Sequence, residues 1–188
     1  MQNNINITGS INSSHIGLID GAIKRLDAEP SLILDIHIDS DGGDPDPAKV
    51  IFDKLKNYRS RIRTVSGKKC MSSAVLIFLA ADERLANHHS EFMIHPTSWT
   101  LWGMYSFMKS YSVNMADLTL TLSEVYTMQG QLEKAAKRLK EIEDYTDEIF
   151  RERAKLPESR FIERRTINCD QNITAAESLK YGISTKLI

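Results

Sequence analysis

Residues 32–38, LILDIHI, place Leu32, Leu34, Ile36 and Ile38 on one side of an extended chain and His37 on the other. Alternation of this kind is the pattern of a β-strand with one buried face. A turn-rich stretch, DSDGGDPDP, stops that strand, and Val50, Ile51 and Leu55 then recur at helical spacing between Ala48 and Tyr58. The same exchange of periods runs through the first half of the chain. Asn4 to Thr8 alternates as a strand that Gly9 ends, Ile16 to Leu26 is helical, Arg63 to Ser66 is a strand closed by Gly67, and Leu85 and Phe92 to His95 lie in two further short strands. Met71 to Ala81 is apolar on nearly every side, which predicts a helix buried in the core. Strands alternating with helices predict an α/β fold.

The second half differs. Gln129 to Lys155 is rich in strong helix formers, with opposite charges three or four apart, and predicts one long, partly exposed helix. Pro157 opens a shorter helix through Arg164. Thr174 and Glu177 have the spacing of a capping box, Gly182 is a natural C-terminal stop, and ISTKLI reads as a last strand. No repeat or long linker divides the chain, so a single domain is expected. At 188 residues it is long enough to bury roughly 70% of its unfolded surface without a metal or disulfides. The 24 Lys and Arg against 25 Asp and Glu give no basic footprint, so neither nucleic acid nor an anionic membrane is an expected partner. The apolar run Ala74 to Ala81 falls well short of the ~20 residues of a membrane span, and the N-terminus lacks the marks of a secretory signal. Two cysteines, Cys70 and Cys169, fit free thiols in a reducing, cytoplasmic setting.

Two segments could carry chemistry. DSDGGDPDP fails as a calcium loop: counted from Asp39, Gly43, Asp44 and Val50 stand where a ligand, the turn glycine and the bidentate glutamate belong. It fails as a phosphate loop because no Gly-Lys-Ser/Thr follows and its aspartates repel phosphate. What remains is two glycines ahead of a helix, either a tight turn or a place where backbone N–H groups meet a ligand closely. The second segment is KKCMSSAVLIFLAAD, with Ser72 and Ser73 at the head of the apolar helix and His95 following at the end of FMIH. Serine there is often only a cap. Histidine beside serine is also the minimum unit of an activated nucleophile. The missing G-x-S-x-G motif argues against an α/β-hydrolase. His37, His88 and His89 read as surface residues, and Cys70 and Cys169 as packing residues, with a thiol nucleophile as the lesser alternative.

The blocks INITGSI, IHIDSDGGD, VSGKKCMSSAVLIFLAAD, FMIHP and CDQNITAAESLKYGI occur in one order along nearly the whole chain. In that order they resemble the Clp protease proteolytic subunit (ClpP) family, the S14 serine peptidases. The resemblance implies a ClpP/crotonase-like fold of repeated β-β-α units with a long helix in the C-terminal half. It also implies one ClpP-like peptidase domain over residues 1–188, with an enlarged helical handle at about 97–155. Asp39 to Gly43 match the family's SPGG block, Cys70-Met71-Ser72 with Ala80-Ala81-Asp82 its nucleophile block, Met93-Ile94-His95 its MIH block, and Asp170 to Ile183 its last block. Carried across, Ser72 is the nucleophile, His95 the general base and acid, and Asp170 the group that holds the His95 tautomer and steadies the imidazolium. The N–H groups of Gly43 and Ser73 form the oxyanion hole. No cofactor and no metal is implied. The expected activity is hydrolysis of peptides or unfolded proteins inside a ring-shaped homo-oligomer, with a catalytically idle assembly subunit and a crotonase-type acyl-CoA enzyme as the alternatives.

The departures from the family are also informative. The segment that supplies the family's axial-pore loops does not precede the first strand, which leaves an AAA+ unfoldase partner open and fits a short, phage-type member. HPTSWTLWGMYSFM replaces the family's Gly-rich strand after the histidine, and its apolar part, Trp99 to Met108, is expected to seek a partner. Gln171 stands in place of an arginine that family members use between rings. Asp41 replaces the proline of SPGG and adds negative charge beside the expected oxyanion hole.

Overall fold

The structure, a computed structural model, describes residues 4–96, 122–161 and 170–188. The chain divides into two compact units, Met1–Pro96 with Thr146–Ile188, and Thr97–Tyr145. The first unit carries a seven-stranded sheet and its helices. Its elements are β1 (Asn4–Ile11), α1 (Ser14–Ala28), β2 (Leu34–Gly43), α2 (Pro45–Leu55), a 3-10 stretch at Lys56–Arg61, β3 (Ile62–Met71), α3 (Ser73–Phe78), β4 (Glu83–Ala86) and β5 (Glu91–Ile94). After the long helix α4 (Leu122–Arg153), which runs from the second unit into the first, come β6 (Gln171–Thr174), α5 (Ala175–Lys180) and β7 (Lys186–Leu187). The main sheet runs β1-β2-β3-β4-β7 with every pairing parallel. β5 joins the far end of β3 in parallel and pairs antiparallel with β6.

Burial follows the two periods read from the sequence. Leu34, Ile36 and Ile38 of β2 are fully buried, while His37 between them is exposed. In α1, His15, Ile19, Ala22 and Leu26 recur at three- and four-residue steps and form the inner stripe. Every residue of α3 is buried, and Phe78 meets Phe92 of β5 edge to face with ring centroids 5.2 Å apart. The expected capping box is complete: Thr174 Oγ1 accepts from Glu177 N–H, and Glu177 accepts from Thr174 N–H.

Three strand ends differ from the sequence expectation. β1 runs past Gly9 to Ile11, β2 runs through DSDGG to Gly43, and β3 runs past Gly67 to Met71. Bulges cause the difference. The β1–β2 register shifts between Thr8 and Ser10, where Gly9 takes φ 69°, and the β2–β3 register shifts between Ile38 and Ser40. The Ser40 hydroxyl braces both by donating to Gly9 C=O at 2.5 Å and accepting from Gly42 N–H at 3.0 Å. A bulge and a turn ask for the same residues, so the glycines that read as strand ends are strand kinks. α2 likewise starts at Pro45 rather than Ala48, because the Asp44 carboxylate accepts from Asp46 N–H at 3.0 Å and caps it.

In the second unit, the described residues are the leading part of α4. That part is largely exposed and carries charge pairs at helical spacing, Arg138 with Glu141 and Lys140 with Asp144. Trp99 to Met108, Cys169 and the end of the helix expected through Arg164 lie outside the described residues. Among the described residues no helix is long and apolar enough to cross a membrane.

Two arginines bind the chain that follows α3. Arg84, 7% exposed, donates through Nε to Ile183 C=O (2.7 Å), through Nη1 to Ala81 C=O (2.8 Å), and through Nη2 to Gly182 and Arg153 C=O (2.9 and 3.2 Å). Arg153 donates to Leu79 and Ala81 C=O and to Asp82. Burial, and next the Arg153 charge, lower the Arg84 pKa to about 10, so it stays cationic at neutral pH. Arg84→Met keeps the stem and strands these carbonyls. It is expected to cost about 2–4 kcal/mol, read as a lowered urea midpoint with an unchanged slope.

Candidate active site

The site is built where the bulged strand extensions end. β3 finishes at Met71 and α3 begins at Ser73, so Ser72 is the turn between them, at φ 54° and ψ −127°. It is the one described residue other than glycine with positive φ. Its N–H donates to Met93 C=O of β5 at 2.7 Å, and its C=O accepts from Val75 N–H at 3.0 Å. The side chain caps nothing and is aimed out of the turn. Ser72 Oγ lies 2.6 Å from Nε2 of His95, which directly follows β5.

Gly42 explains how the serine is held. A Cβ at that position would come within 2.6 Å of Ser72 Cβ and 2.8 Å of Met71 C=O, and its φ is +97°. Only glycine lets β2 pass this close behind the serine. Gly43 is pinned on its other side, where a Cβ would meet the Ile11 backbone at 2.5 Å. Ser73 Oγ donates to Gly43 C=O at 3.2 Å, tying the head of α3 to the end of β2. The geometry therefore brings Ser72 to His95 and Gly43 to Ser73.

Asp170 is exposed and sits directly ahead of β6. Ile94 pairs with Gln171, so the antiparallel register sets Asp170 across from His95. The His95 Nδ1 partner is nevertheless the Pro96 carbonyl, at 2.5 Å. Sequence reasoning had no signal for that carbonyl or for Met93 C=O. It did have one for the turn: Cys70 and Ala74, two residues either side of Ser72, are both small and fully buried, which a tight strand-to-helix turn requires.

Two neighbouring groups bear on the electrostatic expectation. The Asp41 carboxylate is paired with Lys69 Nζ at 2.8 Å, and that hydrogen bond raises the lysine pKa, so the aspartate that replaces a proline does not stand uncompensated. Cys70 is fully buried, and desolvation, then Asp39, push its thiol far above the ordinary range. A thiol held protonated there is not a nucleophile.

A Clp protease family model matches residues 1–188. The chain belongs to the Clp protease family. Among curated proteins it is 25% identical over 145 residues to the ATP-dependent Clp protease proteolytic subunit 2 of Borreliella burgdorferi, covering 71% of each chain. It is 28% identical over 114 residues to the protein of the same name from Treponema pallidum, covering 57% of this chain and 56% of that one. Among solved structures, a ClpP1 mutant from Listeria monocytogenes superposes with a TM-score of 0.75 over all of this chain and 91% of that one. At 17% identity that likeness speaks to the fold, and the fold is that of ClpP.

Gly42→Ala tests the seat of the serine. The added methyl displaces Ser72 by a good fraction of an ångström, and reactivity of Ser72 toward a fluorophosphonate is expected to fall about 100-fold or more, with the far-UV circular dichroism of the native protein retained. Labelling at the wild-type rate would show that the contact does not position the hydroxyl.

Proposed function

We propose that this member of the Clp protease family is a cytoplasmic serine endopeptidase that hydrolyses peptides or unfolded proteins. The observation that carries the reading is the 2.6 Å contact between Ser72 Oγ and His95 Nε2, on a serine whose side chain the turn turns away from capping. Ser72 attacks the scissile carbonyl while His95 Nε2 takes its proton. The N–H groups of Gly43 and Ser73 receive the developing oxyanion, Asp170 offsets the charge of the imidazolium, and His95 returns the proton to the leaving amine. Water then hydrolyses the acyl-enzyme by the same two proton transfers. The tie between Ser73 and Gly43 supports this pairing of donors, because it fixes the end of β2 against the start of a helix, where negative charge is favoured.

Ser72→Ala should lower hydrolysis of short fluorogenic peptides about a thousandfold or more and remove labelling by a fluorophosphonate or β-lactone. A fully labelled Ser72→Ala protein would overturn the assignment.

We propose further that the working form is a ring-shaped homo-oligomer. Family membership supports it, together with the relatives' names as subunits of a larger protease. Sedimentation or native mass spectrometry is expected to give a multiple of the 21.3 kDa chain, and a strict monomer under conditions of full peptidase activity would refute it.

A further inference from the structure

We infer that Lys69 serves the reaction as the cation that shields the oxyanion hole from the carboxylates beside it. The inference rests on the reading of Ser72 as nucleophile and of the Gly43 and Ser73 N–H groups as oxyanion donors. It adds a residue that acts on the developing oxyanion through its charge.

Past its bulge, β2 carries acid toward the site. Asp39 and Asp41 are exposed, with Ser40 buried between them. On β3, Lys69 is half-buried and the next residue, Cys70, is fully buried, so Lys69 stands on the outward side too. The parallel register of β3 and β5 sets the exposed Glu91 directly beside it. Three carboxylates thus surround one lysine. Its Nζ lies 2.8 Å from Asp41, and its backbone N–H donates to Asp39 Oδ1 at 3.0 Å. Asp39 is held there by that bond and by Gly67, packed so close that a Cβ on it would meet Asp39 Cβ at 2.7 Å. The hydrogen bond to Asp41 and its charge, then the charges of Asp39 and Glu91, raise the lysine pKa and keep the ammonium protonated.

These charges are close to the chemistry. Asp41 adjoins Gly42, and a Cβ on Gly42 would lie 3.3 Å from Ser72 Oγ. Lys69 precedes Ser72 by three residues along the chain. A few Cα steps of ~3.8 Å place each charge roughly 10 Å from the developing oxyanion. At the effective permittivity of ~20 near a protein surface, one unit charge at that range alters a rate about tenfold. The oxyanion forms only after attack, so an uncompensated carboxylate here opposes the transition state and leaves the binding of an uncharged peptide alone. The Asp41–Lys69 pair is too exposed to contribute much to stability, and its effect lies in the field it cancels.

Lys69→Met keeps the stem and the backbone bond to Asp39 while removing the charge. On an uncharged fluorogenic peptide its kcat is expected to fall about tenfold with KM little changed. In 1 M NaCl, where charges are screened within ~3 Å, that deficit should shrink to about twofold. Lys69→Arg, which keeps the charge, should retain most of kcat. Asp41→Asn removes an opposing charge and is expected to give kcat at or above the wild-type value. Added to Lys69→Met, Asp41→Asn should bring kcat back to within about threefold of wild type. A pair that worked as a mechanical brace gives the opposite pattern: Asp41→Asn loses as much as Lys69→Met, and the double variant recovers nothing. That pattern, a Lys69→Met deficit indifferent to salt, or a wild-type kcat in Lys69→Met would overturn the proposal. Activity retained by Ser72→Ala would instead overturn the reading of the site itself, so the two failures are distinct.

Discussion

The site depends on one strained residue. Ser72 occupies a backbone region that costs a residue with a Cβ roughly 1–3 kcal/mol, and such a conformation persists only where the surroundings over-determine it. Here they do so from three directions. Met93 C=O takes the Ser72 N–H, the first turn of α3 takes its C=O, and Gly42 closes the space behind its Cβ. The consequence is that the hydroxyl cannot fold back to cap the helix it precedes, and Oγ points at His95. An α3 of six buried residues has unmet backbone groups at both ends. Its last carbonyl, Phe78 C=O, accepts from Thr64 Oγ1, and the Leu79 C=O that caps it accepts from Arg153, while its N-terminal end faces the candidate site.

The bulges explain both what the sequence revealed and where it misled. Alternation placed the strands and the 3.6 period placed α1 and α2, because both patterns follow from burial of one face, whereas α4 was legible from its helix formers and spaced charges. The strand ends at Gly9, Asp39 and Gly67 were misread because local composition cannot distinguish a chain that turns away from one that kinks and continues. What distinguishes them is tertiary: Ser40 bridging Gly9 C=O and Gly42 N–H across two strands, and Gly67 packed where a Cβ would meet Asp39 at 2.7 Å. The site lies in these extensions. Residues 40–43 and 69–72 are brought together only because β2 and β3 both run past their bulges, as the pairing of Ser40 with Cys70 records. Ser72, His95 and Gly43 could thus be named as candidates from the order of the sequence blocks, whereas the contact that seats Ser72 could not.

β5 is the element that makes these separate pieces one site. It pairs with the end of β3 on one side and with β6 on the other. Met93 C=O restrains Ser72, the next residue but one is His95, and the partner strand brings Asp170 level with it. Phe92 and Ile94 are buried in the same strand, so its register is anchored by the core. A slip of one residue would turn Phe92 and Ile94 outward and His95 inward. Chemistry and packing are therefore fixed by the same pleat. Two residues past the strand stands a proline, which offers no N–H to extend the ladder and leaves its carbonyl to the histidine it follows. The sequence shows His-Pro as two adjacent letters. Only the folded chain turns the second into a partner for the first.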